Sequence, residues 1–130
     1  GNSAPYLQYT YTRFTSILRK SHVLRLNLKT LDVWKLNFQT LKEPTELAII
    51  KHLIEFPDVV AATDKTYTTN HLALYLYELA NLASQCYEPI RVLTDDNKDR
   101  LNARLILIET TASVLKTGLG LLGIGVLEKI

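Results

Sequence analysis

A flank of aromatic and cationic side chains on the first predicted helix is the feature of this sequence best suited to binding chemistry. Its members are Tyr6, Tyr9, Arg13 and Lys20. At about 100° per residue they lie more than a quarter-turn from the apolar stripe of the same helix. A tyrosine held off the core can stack on an unpaired base for about 1 to 3 kcal/mol, and a nearby arginine can pair with phosphate. Tyrosines on bundle helices are more often partly buried packing residues. We expect Tyr11, Tyr75 and Tyr77 to be such packing residues.

Catalytic and metal-binding arrangements are not found in the sequence. His71 and Cys86 lie fifteen residues apart on one predicted helix, about 22 Å of rise, so they cannot form a dyad. The three histidines and one cysteine lack the spacing of zinc ligands. An acidic turn could attract a divalent cation, but a helix start explains it more simply. The turn contains Asp95, Asp96 and Asp99. We therefore expect no catalytic residue, metal or cofactor in this chain.

The composition is that of one globular domain. The chain has 130 residues, of which 47% are hydrophobic and 22% charged. Its single cysteine excludes an internal disulfide and suits a reducing compartment. No apolar run approaches the roughly 18 residues needed to span a membrane, and the first residues do not resemble a signal peptide. We expect a soluble cytoplasmic protein, and the absence of methionine suggests a fragment of a longer chain.

The charges are unevenly distributed along the chain. Residues 1–42 contain seven lysines and arginines against one aspartate, a net charge of +6. Residues 43–130 contain eight basic and twelve acidic side chains, a net charge of −4. This asymmetry indicates a polyanionic partner for the basic end, although short basic stretches are also common on solvated surfaces.

Helical periodicity predicts an all-α bundle of four to five helices. The first helix begins near Pro5, and its core stripe is Leu7, Tyr11, Phe14 and Leu18. Near residues 21–42 the helical period is lost while apolar residues stay frequent. We therefore expect an irregular connection packed across the helices, with Trp34 as its anchor.

Prolines, cap residues and glycines bound the other predicted helices. The second runs from Glu43 to Phe56, and Pro57 can start a short helix. The third follows a cap at Thr69 or Asn70, ends before Pro89, and buries Cys86 as a small apolar side chain. The last begins after the turn 94–97 and is buried on two faces. We expect it to be ended by the glycines at 118, 120, 123 and 125.

Five groups of short motifs occur in a fixed order along the chain. They are Ala4-Pro5-Tyr6-Leu7-Gln8-Tyr9 with Arg13 and Ser16-Ile17-Leu18-Arg19-Lys20; Glu46-Leu47 with Phe56-Pro57-Asp58-Val59-Val60; Leu76-Tyr77-Glu78-Leu79-Ala80; Asn102-Ala103-Arg104-Leu105; and Leu121-Leu122-Gly123-Ile124 with Glu128-Lys129. In order and spacing they resemble the DALR-type anticodon-binding domain of arginyl-tRNA synthetases. The resemblance covers nearly the whole chain except residues 21–42.

The resemblance implies that residues 1–130 form one anticodon-binding domain whose partner is the anticodon loop of arginine tRNA. The parent would be an arginine–tRNA ligase, with a catalytic domain upstream in the same chain that uses ATP and magnesium. The fragment alone would be inactive. The positions that match the family's anticodon contacts are Tyr6, Tyr9, Arg13, Tyr87 and Ile130. The family usually ends in methionine, so Ile130 departs from it.

Further cations would add salt-sensitive attraction to phosphates. These possible contacts are Arg19, Lys20, Arg25, Lys29 and Arg104. A second hypothesis is a free-standing DALR-like helical adaptor that binds a protein or assists tRNA modification. A third is an oligomerisation face, which the basic first third disfavours, so we expect a monomer.

Overall fold

The computed structural model describes residues 3–23, 38–66 and 69–126. Within these ranges the chain is all-α, as predicted, and contains no strand. The elements are α1 (Ser3–Val23), a 3-10 helix (Phe38–Thr40), α2 (Pro44–Ile54), α3 (Phe56–Thr66), α4 (Thr69–Cys86), α5 (Pro89–Leu93) and α6 (Lys98–Leu121). Five of the helices are long, and α5 is a short addition of five residues. None of the helices in the described part of the chain is long and apolar enough to cross a membrane.

The core lies where α1, α4 and α6 pack against one another, with α2 against α4. Each large aliphatic side chain fully buried there contributes about 1.5 to 3 kcal/mol. The fully buried large side chains of these three helices include Leu7, Phe14, Ile17, Leu72, Leu76, Leu79, Leu105, Ile108, Leu115 and Leu119. The predicted stripe of α1 is confirmed at Leu7, Tyr11 and Phe14, but Leu18 is only half-buried and Ile17 is fully buried. Tyr75 is buried as expected. Cys86 departs from the prediction, because it is only half-buried.

The end of α6 differs from the prediction. The helix continues through Gly118 and Gly120 and ends at Leu121. Gly118 lies inside it because α4 passes close by: a Cβ there would be 2.6 Å from the side chain of Leu76. The chain turns at Gly123 instead, whose φ of +77° suits a residue without a Cβ.

Two connections position the residues discussed below. Pro89 stops α4 as predicted and also begins α5, which the periodicity did not predict. The turn before α6 is a cap, as expected, since the side chain of Asn97 accepts a hydrogen bond from the Arg100 N–H at 3.1 Å. Of the predicted irregular connection, residues 24–37, including Trp34, lie outside the described residues. Its first residues, 21–23, belong to α1.

Candidate nucleic-acid interface

Helices α1 and α4 together present aromatic rings at the surface. Tyr9 is 57% exposed and Tyr77 is 40% exposed. Tyr6 is half-buried and packs against the core, and its ring centroid lies 5.5 Å from that of Tyr77. Its hydroxyl donates to Oδ1 of Asn81 at 3.3 Å, which fixes the ring against α4. We call the surface made by these three tyrosines, together with Arg13 and Lys20 further along α1, the α1–α4 face.

Tyr77 is a member of this face that the sequence interpretation assigned to packing. It follows the fully buried Leu76 by one residue, so its side chain leaves the helix about 100° from the core direction. The angular argument that placed Tyr9 off the core would have placed Tyr77 there too. Its contact with Tyr6 depends on how α1 and α4 pack, which periodicity does not give.

Cations continue the α1–α4 face along α1. Tyr9 and Lys20 are eleven residues apart, so they lie within about 20° of one another around the helix. The rise between them is about 16 Å. Arg19 and Lys20 are both exposed near the carboxyl end of α1, while Arg13 is half-buried. This face can therefore offer rings to unstacked bases and positive charge to the adjoining phosphates.

Arg13 is held in place by a backbone group. Its Nη2 donates to the carbonyl oxygen of Tyr87 at 3.0 Å. A guanidinium carries five N–H donors in a planar fork, so this bond leaves others for a phosphate or a base edge. The predicted role of Arg13 is compatible with its position.

Tyr87 is placed differently from the expectation. Tyr87 is only 1% exposed. Its ring forms an edge-to-face contact with that of Phe14, and the two ring centroids lie 6.3 Å apart. Its hydroxyl donates to Oε2 of Glu46 at 2.9 Å. Burial, and then the nearby carboxylate of Glu46, raise the pKa of Tyr87 well above its usual range. The ring of Tyr87 is thus enclosed in the protein, and its predicted anticodon contact stays a prediction.

Arg104 belongs to an ion network centred on the buried Glu46, and its predicted phosphate contact stays a prediction. Its Nε and Nη2 donate to the two carboxylate oxygens of Glu46, both at 3.0 Å, in a forked geometry. Its Nη1 donates to Asp95 at 3.2 Å. Glu46 is completely buried, and hydrogen bonding to it raises the pKa of Arg104. These three bonds hold the Arg104 guanidinium against Glu46 and Asp95.

The acidic turn before α6 belongs to this network. Asp95 accepts hydrogen bonds from the Arg100 guanidinium, one of them at 2.7 Å, and from the Asn97 N–H at 3.0 Å. The hydrogen bonds from Arg100 are the main cause of the lowered pKa of Asp95. The helix-start interpretation of this turn is thereby supported. No group of acidic, histidine and cysteine side chains in the described ranges could hold a metal ion.

Some of the other residues named from the sequence lie in the part of the chain that the structure describes, and some do not. Arg25, Lys29 and Ile130 lie outside the described residues, so their contacts stay predictions. Gly125 is brought to α1, because its carbonyl accepts from the side chain of Gln8 at 2.8 Å. His71 and Cys86 lie near opposite ends of α4, as expected, and burial raises the pKa of the Cys86 thiol.

A second surface feature lies away from the α1–α4 face. An apolar groove of about 430 Å³ runs between α2 and α6. Its lining is Ile50, Leu53, Ile54, Ile106, Leu107 and Thr110. Ile54 is 71% exposed at its edge, and Leu47, about two helical turns earlier on α2, is also exposed. Contiguous apolar surface of this kind typically marks a contact with another protein surface.

The chain is similar in sequence and in fold to arginine–tRNA ligases. An arginine–tRNA ligase of Synechocystis sp. is 38% identical over 130 residues, which are all of this chain and 21% of the relative. One from Escherichia coli is 35% identical over 130 residues, 22% of its length. The crystal structure of arginyl-tRNA synthetase from Plasmodium falciparum superposes with a TM-score of 0.82 at 32% identity, covering all of this chain and 22% of that one. Arginyl-tRNA synthetase from Thermus thermophilus gives 0.76 at 31% identity, over 97% of this chain and 21% of that one.

These similarities extend over the whole bundle. The chain spans about a fifth of the length of the curated relatives that it matches. Residues 7–130 match the family described as the DALR anticodon binding domain. This range contains α2 to α6 and all of α1 except its first four residues. The chain belongs to the DALR anticodon binding domain family.

Proposed function

We propose that this domain binds the anticodon loop of arginine tRNA as part of an arginine–tRNA ligase. The observation that carries the proposal is the α1–α4 face, in a domain whose family and relatives are those of arginine–tRNA ligases. Residues 1–130 form the anticodon-binding domain. A catalytic domain elsewhere in the same polypeptide uses ATP and magnesium to attach arginine to the tRNA. The parent acts in the cytoplasm as a monomer.

In this function the domain recognises RNA and takes no part in the chemical step. Anticodon bases are unpaired, so they can leave the loop and stack on aromatic side chains. Tyr9 and Tyr77 offer the exposed rings, and the ring of Tyr6 packs against that of Tyr77. Arg13 supplies directed hydrogen bonds, while Lys20 adds attraction to phosphate that does not depend on base identity. Ile130 remains a proposed apolar contact to a base.

The substitution Tyr9→Ala tests the face directly. We expect it to weaken binding of the arginine tRNA anticodon stem-loop by about 1 to 3 kcal/mol, the contribution of one base–aromatic stack. Fluorescence anisotropy with a labelled stem-loop measures the affinity. Ile54→Ala, which removes an exposed apolar side chain from α2, is the control and should leave the affinity unchanged. Equal affinities for both variants would refute the site.

Lys20→Ala separates phosphate attraction from base contact. Each phosphate contact to a single strand contributes about 0.7 to the slope of log affinity against log salt concentration. The variant should lower that slope by about this amount and weaken binding to all stem-loops alike.

A second candidate function is a helical adaptor that binds a protein, and the α2–α6 groove is the observation that favours it. An adaptor needs no preference among tRNAs. Comparing the affinity for arginine tRNA stem-loops with that for other tRNA stem-loops therefore distinguishes the two. A clear preference for arginine tRNA supports the first function, and its absence supports the adaptor.

A further inference from the structure

We propose that Glu46 and Tyr87 are positioning residues that hold Arg13 ready for the tRNA. This inference rests on the function proposed above and deepens it. It gives Tyr87 the role of a connection between a buried carboxylate and the α1–α4 face. The connection runs from Glu46 to the Tyr87 hydroxyl, and from the Tyr87 carbonyl to Arg13.

The first link fixes Arg13 to the junction of α4 and α5. Tyr87 lies between these helices, and its backbone oxygen accepts the hydrogen bond from Arg13 Nη2. Phe14, the next residue of α1, packs its ring against the edge of the Tyr87 ring. Neighbouring residues of α1 thus contact both the backbone and the ring of Tyr87. A shift of Tyr87 would move the acceptor that orients the guanidinium.

The second link fixes Tyr87 itself. Its backbone N–H donates to the Ala83 carbonyl at 3.0 Å, which holds one end of the residue to α4. Its hydroxyl donates to Glu46 on α2, which holds the other end. Without the hydroxyl bond, the ring would be placed by apolar packing alone, which is not directional.

The third link explains why Glu46 can act as a fixed point. Its carboxylate is completely buried and is held by two parallel bonds from Arg104 on α6. Arg104 is in turn bonded to Asp95, which Arg100 also binds. No buried polar side-chain atom in the described part of the chain lacks a hydrogen-bond partner. A fully satisfied network of this kind rigidifies its members.

Stability alone is a weak reason for such a network. A well-packed apolar replacement of a buried ion pair is often as stable or more stable, since charges lose their hydration on burial. What an apolar replacement does not supply is a directional acceptor for the Tyr87 hydroxyl. Preorganisation of Arg13 is a gain that only this arrangement provides, because a guanidinium ordered before binding loses less rotational freedom when RNA arrives.

The test is a double-mutant cycle between Tyr87→Phe and Arg13→Ala, measured as affinity for the arginine tRNA anticodon stem-loop. Tyr87→Phe keeps the ring and removes only the hydroxyl. We expect it to weaken binding about 2- to 10-fold, the range for one hydrogen bond. In the Arg13→Ala background the same change should have no further effect, because the positioned group is gone.

Tyr75→Phe is the matched control. Tyr75 is also buried, and its hydroxyl also donates to a protein acceptor, the carbonyl of His52, but it does not contact Arg13. Its loss should change affinity less than 2-fold, as expected for a hydrogen bond lost away from the RNA. Circular dichroism melting of each variant confirms that the domain is folded at the assay temperature.

A readout without RNA separates this inference from the proposed function. In the free protein, NMR of the Arg13 guanidinium should show slowed rotation and N–H exchange in the wild type and in Tyr75→Phe. Both should become fast in Tyr87→Phe. If the NMR result holds but no stem-loop binds, the proposed function fails while the positioning link stands. Equal loss of affinity from Tyr87→Phe with and without Arg13 would overturn the inference, as would an Arg13 signal unchanged by Tyr87→Phe.

Discussion

The substitution Glu46→Gln probes the buried network at its centre. Glutamine has almost the shape of glutamate but carries no charge, and it replaces one acceptor oxygen with an NH2 donor. Glu46 accepts three hydrogen bonds, one from Tyr87 and two from Arg104. With an amide in its place, at least one of these donors faces another donor and loses its bond.

The magnitude follows from the burial of the two partners. Breaking a buried ion pair by removing one member costs about 3 to 5 kcal/mol, because the other charge is left uncompensated. Arg104 has a side chain that is 19% exposed and keeps its bond to Asp95, so part of its charge stays solvated or paired. We therefore expect Glu46→Gln to lower the free energy of unfolding by about 2 to 3 kcal/mol. That is a large share of the stability of an ordinary domain, about 5 to 15 kcal/mol.

Urea unfolding at neutral pH, followed by circular dichroism, measures this loss. The control is Glu43→Gln, three residues earlier and exposed, which should change stability by less than about 0.5 kcal/mol. Arg104→Met alone should be strongly destabilising, because it leaves the Glu46 charge buried. The variant that combines Glu46→Gln and Arg104→Met should lose less free energy of unfolding than the sum of the two single losses, by at least about 1 kcal/mol. A loss for Glu46→Gln no larger than that for Glu43→Gln would show that the pair is solvated and the reasoning wrong.

Two further predictions concern α6 and the turn that precedes it. Gly118→Ala should destabilise by about 1 kcal/mol, because overpacking against the fully buried Leu76 outweighs the better helix propensity of alanine, whereas Gly120→Ala, with open space around it, should stabilise by up to about 1 kcal/mol. Thermal melting of both variants checks this, and the same sign for both would contradict it. Asp95→Asn should destabilise at neutral pH, since hydrogen bonds from Arg100 lower the pKa of Asp95 and stabilise its ionised form. That stabilisation is complete above the unfolded pKa of about 3.9 and is lost as pH falls through the lower folded pKa, so the deficit relative to wild type should shrink below about pH 4 in urea unfolding. A deficit that stays constant into strong acid would contradict the assignment.

The sequence by itself determined the features that depend on local geometry. An apolar residue every three or four positions places a helix and its core face, and prolines and caps place its ends. The same angular rule placed Tyr9 and Arg13 off the core before any packing was known. Pro89 and the turn before α6 behaved as predicted, because their effects act on neighbouring residues. The five groups of short motifs, by their order and spacing, indicated the DALR-type anticodon-binding family.

Only the tertiary structure decided which side chains meet across the bundle. Tyr87 was expected on the RNA, yet it is enclosed and bonded to Glu46, 41 residues away. Arg104 was expected on a phosphate, yet it pairs with the same carboxylate, 58 residues away. Gly118 lies within α6 because α4 passes against it. Periodicity reports which face of a helix is buried, but it carries no information on which helix covers that face. Partners brought together by packing therefore decided whether these residues bind RNA or hold the residues that do.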